Sequence, residues 1–420
     1  MPPGKPANAA DRIDEVRLSS PHSLEPGTQL TLFCLRPLSR PCRFLETTPA
    51  RRLRLMRWVF AVLLASATGL RAQEWEDWSL LPAWIRDTSI GTGVGYTDNV
   101  GLAPQDPEAS AFLSAEIESF WFRLPQNHEE VSVFFTADLR YYLTADILDT
   151  EELIFGQARF ETGNDDGWKG WTEASYLFQH EVLDVTVTNP DLGILPVIGN
   201  TFILGLGLER EFGSNWWMSL GIPLQRQYFQ EPLDDYWAYG PEWTAGFRYG
   251  RQSDLALRYE LESRPYDTFE QSTADGVPIP GTHRSFLLQQ LNLEHRHYWD
   301  PKGRWRTRAR LAAGYNDDGG SGYFDFRRLL ASGEVRFRSE GWECLVEARI
   351  ANFRYPVQTV SPTDPEKRNR TDLELRAACR IPLSRLIGLS AEYLHERTVS
   401  NVPDDEYSVN TLKGGVVWSF

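Results

Sequence analysis

From Thr88 to the C-terminus the chain repeats one pattern: roughly a dozen residues alternating apolar and polar, a break, then another such run. The clearest covers 131–142, where Val131, Val133, Phe135, Ala137, Leu139 and Tyr141 oppose Ser132, Thr136, Asp138 and Arg140. A strand sends successive side chains to opposite faces, so each run is a strand with one apolar and one wet face. The runs fall at 88–98, 111–122, 131–142, 152–161, 171–181, 200–210, 216–229, 241–250, 254–264, 284–299, 305–316, 326–338, 342–354, 371–381, 387–398 and 407–420, sixteen in all. Connections after the even runs are short and carry Gly, Pro, Asn and Asp, as at 163–167, 213–215, 250–253 and 300–303. Tight hairpins need those residues. Connections after the odd runs are mostly longer and acidic or Pro-rich, as at 182–199, 265–283 and 355–370. The pattern predicts an all-β fold, a transmembrane antiparallel up-and-down β-barrel of about 16 strands, with short turns at one end and long loops at the other.

The last run ends Thr411-Leu-Lys-Gly-Gly-Val-Val-Trp-Ser-Phe420. Leu412, Gly414, Val416, Trp418 and Phe420 share one face, while Thr411, Lys413, Gly415, Val417 and Ser419 share the other. Ending in Phe after alternating apolar positions, the chain resembles the bacterial outer-membrane β-barrel family. That resemblance makes Leu412, Val416, Trp418 and Phe420 the signal read by the barrel-assembly machinery. Gly93-Val-Gly-Tyr-Thr-Asp-Asn99 in the first run resembles the Gly-Tyr-x-x-Asn start of several β-barrel porin families. It implies compartment and fold, not substrate. Both termini then lie on the short-turn, periplasmic side.

The chain has 420 residues with 41% hydrophobic and 13% aromatic, enough apolar surface for a folded barrel. No apolar run reaches the ~18 residues of a membrane-spanning helix. The longest, 58–70, follows Arg51, Arg52, Arg54 and Arg57 and precedes Leu70-Arg71-Ala72. It reads as a secretory signal peptide over 56–72, cleaved after Ala72. Residues 1–55 are rich in Pro, Arg and Ser without periodicity and read as a non-native or disordered extension ahead of Met56. Residues 73–86 form a short periplasmic segment and 87–420 the barrel. Beyond residue 72 the chain carries 32 Lys and Arg against 53 Asp and Glu, which excludes nucleic acid as a partner. Outer-membrane lipid and lipopolysaccharide are the expected surroundings, and a homo-oligomer is compatible with the pattern. Cys344 and Cys379 either pair across strands or stand as isolated, outward-facing thiols, and the absence of motif spacing favours the second.

Aromatics cluster at the run ends, as amphipathic rings do at headgroup level. The periplasmic girdle is expected to hold Trp121, Trp168, Trp171, Phe212, Trp216, Trp299, Trp305, Phe337, Trp342, Trp418 and Phe420. The outer one would hold Tyr96, Tyr141, Tyr228, Tyr236, Trp237, Tyr266, Tyr315, Tyr323 and Tyr355.

If the apolar face meets lipid, the interior is heavily charged. Arg258, Glu260, Glu262, Arg264, Glu294 and Arg296 fall on it, followed by Arg306, Arg308, Arg310, Glu334, Arg336 and Arg338. Glu343, Glu347, Arg349, Asp372, Glu374, Arg376 and Arg380 complete the set. Unpaired charge in a dry core is costly, so the lumen is water-filled, cross-paired, or both. The arginines of the eleventh to fourteenth runs would face acids of the opposite wall or an inserted loop and set up a transverse field. The connection 182–199, the most apolar of the long ones, resembles in position and length the third loop that folds into the lumen of general-diffusion porins.

Chemistry is otherwise thin. His295 and His297 share a strand face without a third ligand, which favours a girdle role, and His395 and Glu396 point to opposite faces. No cofactor or catalytic function is expected. The reading is a porin-like channel of the Gram-negative outer membrane for passive diffusion of small polar solutes. The alternatives are an export component, for instance for polysaccharide, and a structural or adhesive barrel with a filled lumen.

Overall fold

A computed structural model describes residues 84–126, 128–187, 193–250, 252–339, 342–361 and 363–420. The leader and signal-peptide expectations lie outside these residues. The β segments are β1 (Trp84–Thr97), β2 (Ser110–Gln126), β3 (Glu129–Tyr142), β4 (Thr150–Gly163), β5 (Trp168–Asp184) and β6 (Ile194–Phe212). Next come β7 (Trp216–Phe229), β8 (Tyr236–Tyr239), β9 (Glu242–Tyr249), β10 (Ser253–Pro265), β11 (Ser285–Tyr298) and β12 (Trp305–Asp317). The last are β13 (Phe326–Ser339), β14 (Trp342–Ser361), β15 (Asp364–Pro382), β16 (Ile387–Ser400) and β17 (Tyr407–Ser419). Segments β8 and β9 both pair with β7 and β10, so they are two halves of one crossing, broken at Gly240-Pro241. The result is sixteen antiparallel crossings.

Each crossing pairs with its chain neighbours, and β1 pairs with both β2 and β17, closing the sheet on itself. The seam is tight. At Gly95 a Cβ would lie 2.2 Å from the Phe112 ring and 2.7 Å from the Leu412 carbonyl, and at Gly93 2.7 Å from the Gly414 carbonyl. Glycine here lets two strands and an inward ring share the space. The Phe420 amide donates to the Thr88 carbonyl at 2.8 Å at the periplasmic end. At the loop end the Asn410 amide and side chain donate to the two carboxylate oxygens of Asp98, both at 2.7 Å. Asn99 donates to the Ser408 carbonyl nearby, so the predicted Gly-Tyr-x-x-Asn motif belongs to the closure seam.

The outer surface is a lipid-facing belt. Leu311, Leu329 and Leu412 are 57, 62 and 60% exposed, with Leu206, Leu208 and Ile222 equally bare. A closed barrel with such a belt, a polar lumen and aromatic margins is the outer-membrane plan. Trp121, Trp168, Phe212, Trp216, Trp299, Trp305, Trp342 and Phe420 project at the periplasmic margin, and Tyr96, Tyr141, Tyr228 and Trp237 at the other. Several expected girdle members are exceptions. Trp171 points inward, its ring filling the space left by Gly205, Gly207 and Gly221. Tyr236, Tyr266 and Tyr355 are buried inside the barrel's loop end. Strand parity places them there: Trp237, next to Tyr236, takes the outward place.

Cys344 and Cys379 are directly opposite on β14 and β15, with Cα atoms 4.2 Å apart, and form a disulfide. They share the outward faces of Val346 and Leu375, so outward-facing holds and isolated does not. Spacing of 35 residues carried no signal, because the pairing depends on hairpin register.

Candidate pore and its lining

Three apolar clusters fill the loop end of the barrel. One joins Val185, Val197, Tyr236, Tyr266, Phe269, Phe286 and Phe324; a second joins Val187, Ala312, Phe326, Leu330, Ala351, Phe353 and Tyr355. The third, Val100, Phe112, Tyr142 and Leu148, sits under the first loops. Val185 and Val187 belong to the connection between β5 and β6, yet Val187 packs on β12, β13 and β14. Those strands are not neighbours of β5 or β6, so the chain reaches them only across the lumen.

Polar contacts fix this crossing. Asp184 meets Arg370 of β15 at 2.6 Å with both side chains fully buried. Arg370 also donates to Thr186 Oγ1 at 2.6 Å, and Tyr355 Oη donates to the Val187 carbonyl at 2.7 Å. Arg368 pairs with Asp405 at 2.5 Å beside them, equally buried. Of the connection expected over 182–199, the stretch 184–187 turns inward, whereas 182–184 and 194–199 extend β5 and β6 as paired strand. Alternation in Leu183-Asp184-Val185-Thr186-Val187 carries the apolar side chains to two clusters and the polar ones to Arg370.

The periplasmic half is hollow. A cavity of about 1750 Å³ opens there, lined by side chains from all around the barrel. Eleven of the nineteen charged residues that the sequence places on the inner face are on its wall: Arg258, Glu294, Arg296, Arg306, Arg308, Arg310, Glu334, Arg336, Arg338, Glu343 and Arg380. Glu260, Glu262, Asp372, Glu374 and Arg376 are not on that wall and make local pairs. Glu260 lies 3.2 Å from Arg258, Glu262 2.6 Å from Arg264 and Asp372 2.6 Å from Arg370; Glu374 lies 3.8 Å from Arg349, and Glu392 accepts from Arg376 at 3.0 Å.

The cavity wall is zoned by charge. From β1 to β6 it presents Asp87, Glu116, Glu118, Glu130, Glu161, Asp165, Glu209 and Glu211 against Arg159 and Lys169. From β11 to the turn after β15 it presents Arg296, Arg306, Arg308, Arg310, Arg336, Arg338, Arg380 and Arg385 against Glu294, Glu334 and Glu343. In the order of crossings β3 to β5 stand opposite β12 to β14, so the excess charges face one another across the water. The direct partners, however, come from adjacent strands. Arg308 holds Glu294 through two bonds of 2.9 Å, Arg306 holds Glu334, Arg336 holds Glu343, and Arg296 donates to Asp254 at 3.2 Å. Cross-strand pairing at one register sets these contacts; a lumen this wide keeps opposite walls apart.

Sequence reading missed three inward residues. Trp171 and Trp217 line the cavity, and Lys413 on the last strand pairs with Glu116 of β2 across β1. The polar face of 407–420 was the available signal for Lys413. His295 and His297 stack with Tyr249 on the outer face beside Trp299, a girdle arrangement. Among the described residues no helix is long and apolar enough to cross a membrane.

No protein-family profile and no curated relative matches the chain. Solved structures similar to it include OccAB3 of Acinetobacter baumannii, at 10% identity and TM-score 0.44 over 81% of this chain and 100% of that one. OccK9 (OpdG) of Pseudomonas aeruginosa follows at 11% and 0.41, over 80% and 98%. A bacterial polysaccharide outer membrane secretin stands at 12% and 0.39, over 80% and 98%. Overlaps this loose carry over neither solute nor partner.

Proposed function

We propose that the chain forms a narrow channel through the Gram-negative outer membrane for passive diffusion of small polar solutes. The observation that carries this reading is the charged cavity of about 1750 Å³ in the periplasmic half. A barrel serving only as a wall or anchor has no need of a hydrated, two-signed vestibule. Opposed acidic and basic walls orient dipolar solutes and tolerate either charge sign. The crossing at 184–187 narrows the outer half, so selection by size falls there.

A second reading, a barrel closed by its own loops, draws on the buried packing around Tyr236, Tyr355 and Phe286. Liposome swelling separates the two. Purified barrel reconstituted with external arabinose, glucose or a trisaccharide should admit the smaller solutes faster. Swelling no faster than in protein-free liposomes for every solute supports the closed barrel instead.

The same reading places export ahead of assembly. The segment 56–72 serves as a signal peptide cut after Ala72, and Leu412, Val416, Trp418 and Phe420 present the strand that the barrel-assembly machinery recognises. The outward projection of Phe420 supports that role. Lipopolysaccharide and phospholipid surround the belt, and self-association through it is compatible with the exposed faces.

A further inference from the structure

The lipid-facing surface carries one feature that neither a channel nor a smooth belt requires. On β13 and β14, near the long-loop end, Arg327 and Arg354 stand directly opposite each other in the ladder. Both are exposed, and among the described residues neither has an ion-pair partner. Like charges facing each other across a ladder repel. The carboxylate of Asp325, just ahead of β13, accepts instead from Tyr315 Oη at 2.9 Å and from the Asp318 amide at 2.8 Å. Arg354 is steered by Asn352, whose Oδ1 accepts from Arg354 Nε at 3.3 Å.

Next to the arginine pair, toward the membrane centre, the surface is notched. One row across the sheet reads Tyr259, Leu291, Ala313, Leu329 and Asn352, each opposite the next. The small Ala313 sits between two leucines, and Tyr315 stands above it. Together they line a groove of about 590 Å³ that includes Arg327 and Arg354 at its head. The lining is mostly apolar below and doubly cationic above.

We infer that this groove seats a phosphorylated, acylated glycolipid of the outer leaflet, an acyl chain lying over Ala313 and a phosphate bridging Arg327 and Arg354. The inference rests on the outer-membrane placement, with the long loops outward. Planar guanidinium groups bind phosphate through paired hydrogen bonds, and a shared anion removes the repulsion between them. An aromatic flank at headgroup depth fits the same occupant. A zwitterionic phospholipid offers its phosphate beside an ammonium and suits the pair less well.

Native mass spectrometry of the full folded barrel in detergent tests it, with bisphosphorylated lipid A as the probe. One lipid should stay bound, and R327S/R354S should lower its retention about tenfold, as loss of two charge-assisted contacts implies. Lipid A stripped of its phosphates should be retained as poorly by the unaltered protein. Filling the notch with A313F should weaken retention too, whereas R397S, on the outward face of β16, should not. Equal retention by R327S/R354S overturns the inference. So does displacement of the lipid by millimolar inorganic phosphate with A313F silent, which would mark a site for free phosphate. All readouts are taken on protein whose heat-modifiable gel shift shows a folded barrel, so failure here leaves the channel reading intact.

Discussion

Arg370 on β15 and Asp184 at the end of β5 meet at 2.6 Å, both completely buried, although their strands stand on opposite walls of the barrel. No hairpin register brings them together. Only the loop segment that crosses the lumen does. Removing one member of a buried pair strands the other charge, at a cost of about 3–5 kcal/mol. Asp184→Ala and Arg370→Met are therefore each expected to lower the temperature of the heat-modifiable gel shift. The double variant should lose less than the sum. Strict additivity would mean that the two side chains do not act on each other.

Ion selectivity should follow the basic wall. Replacing Arg308 and Arg336 with Ser removes two cations together with the bonds that Glu294 and Glu343 accept from them. The reversal potential in a salt gradient should move toward cation preference, and more at low than at physiological salt, where screening sets in over about 8 Å. An unchanged reversal potential would place these arginines away from the conducting path.

The Cys344–Cys379 disulfide faces outward. Reduction should destabilise the barrel by about 2–4 kcal/mol without altering conductance. Alkylation followed by mass measurement checks the pairing. Unreduced protein should take up no label at either cysteine, and labelling of both would contradict the disulfide.

Closure should depend on the seam. Gly95→Val pushes branched atoms into the Phe112 ring and the Leu412 carbonyl, and should cut folding yield in detergent severely. Deleting Phe420 removes its outward ring and the amide bond to Thr88, and should block insertion while leaving synthesis and export intact. Normal surface levels of the truncated chain would refute that role.

Strand periodicity made the wall legible, because the crossings alternate lipid-facing and lumen-facing side chains. Arg306, Arg308, Glu334 and Arg336 could thus be placed inside from parity alone. Their partners could not, since the choice between a neighbouring strand and the opposite wall depends on register and lumen width. The plug was half legible. Position, length and apolar content marked 182–199 as an inward connection, but Arg370 reads as the end of a loop until the crossing chain supplies Asp184. The strands β14 and β15 also run well past the predicted limits, to Ser361 and from Asp364, because hairpins continue beyond the bilayer where sequence alternation weakens. Tyr236, Tyr266 and Tyr355 were misplaced for a related reason: at a membrane margin an aromatic suits either face, and only the filled interior decides.

The most direct test is a single-channel recording of the purified barrel in a planar bilayer, beside the Asp184→Ala variant. The channel account predicts steady, small openings for the natural chain. It predicts at least roughly twofold larger or noisier openings once the buried pair that holds the crossing is broken. A silent bilayer with both proteins, despite verified insertion, would contradict it and leave a barrel closed by its own loops.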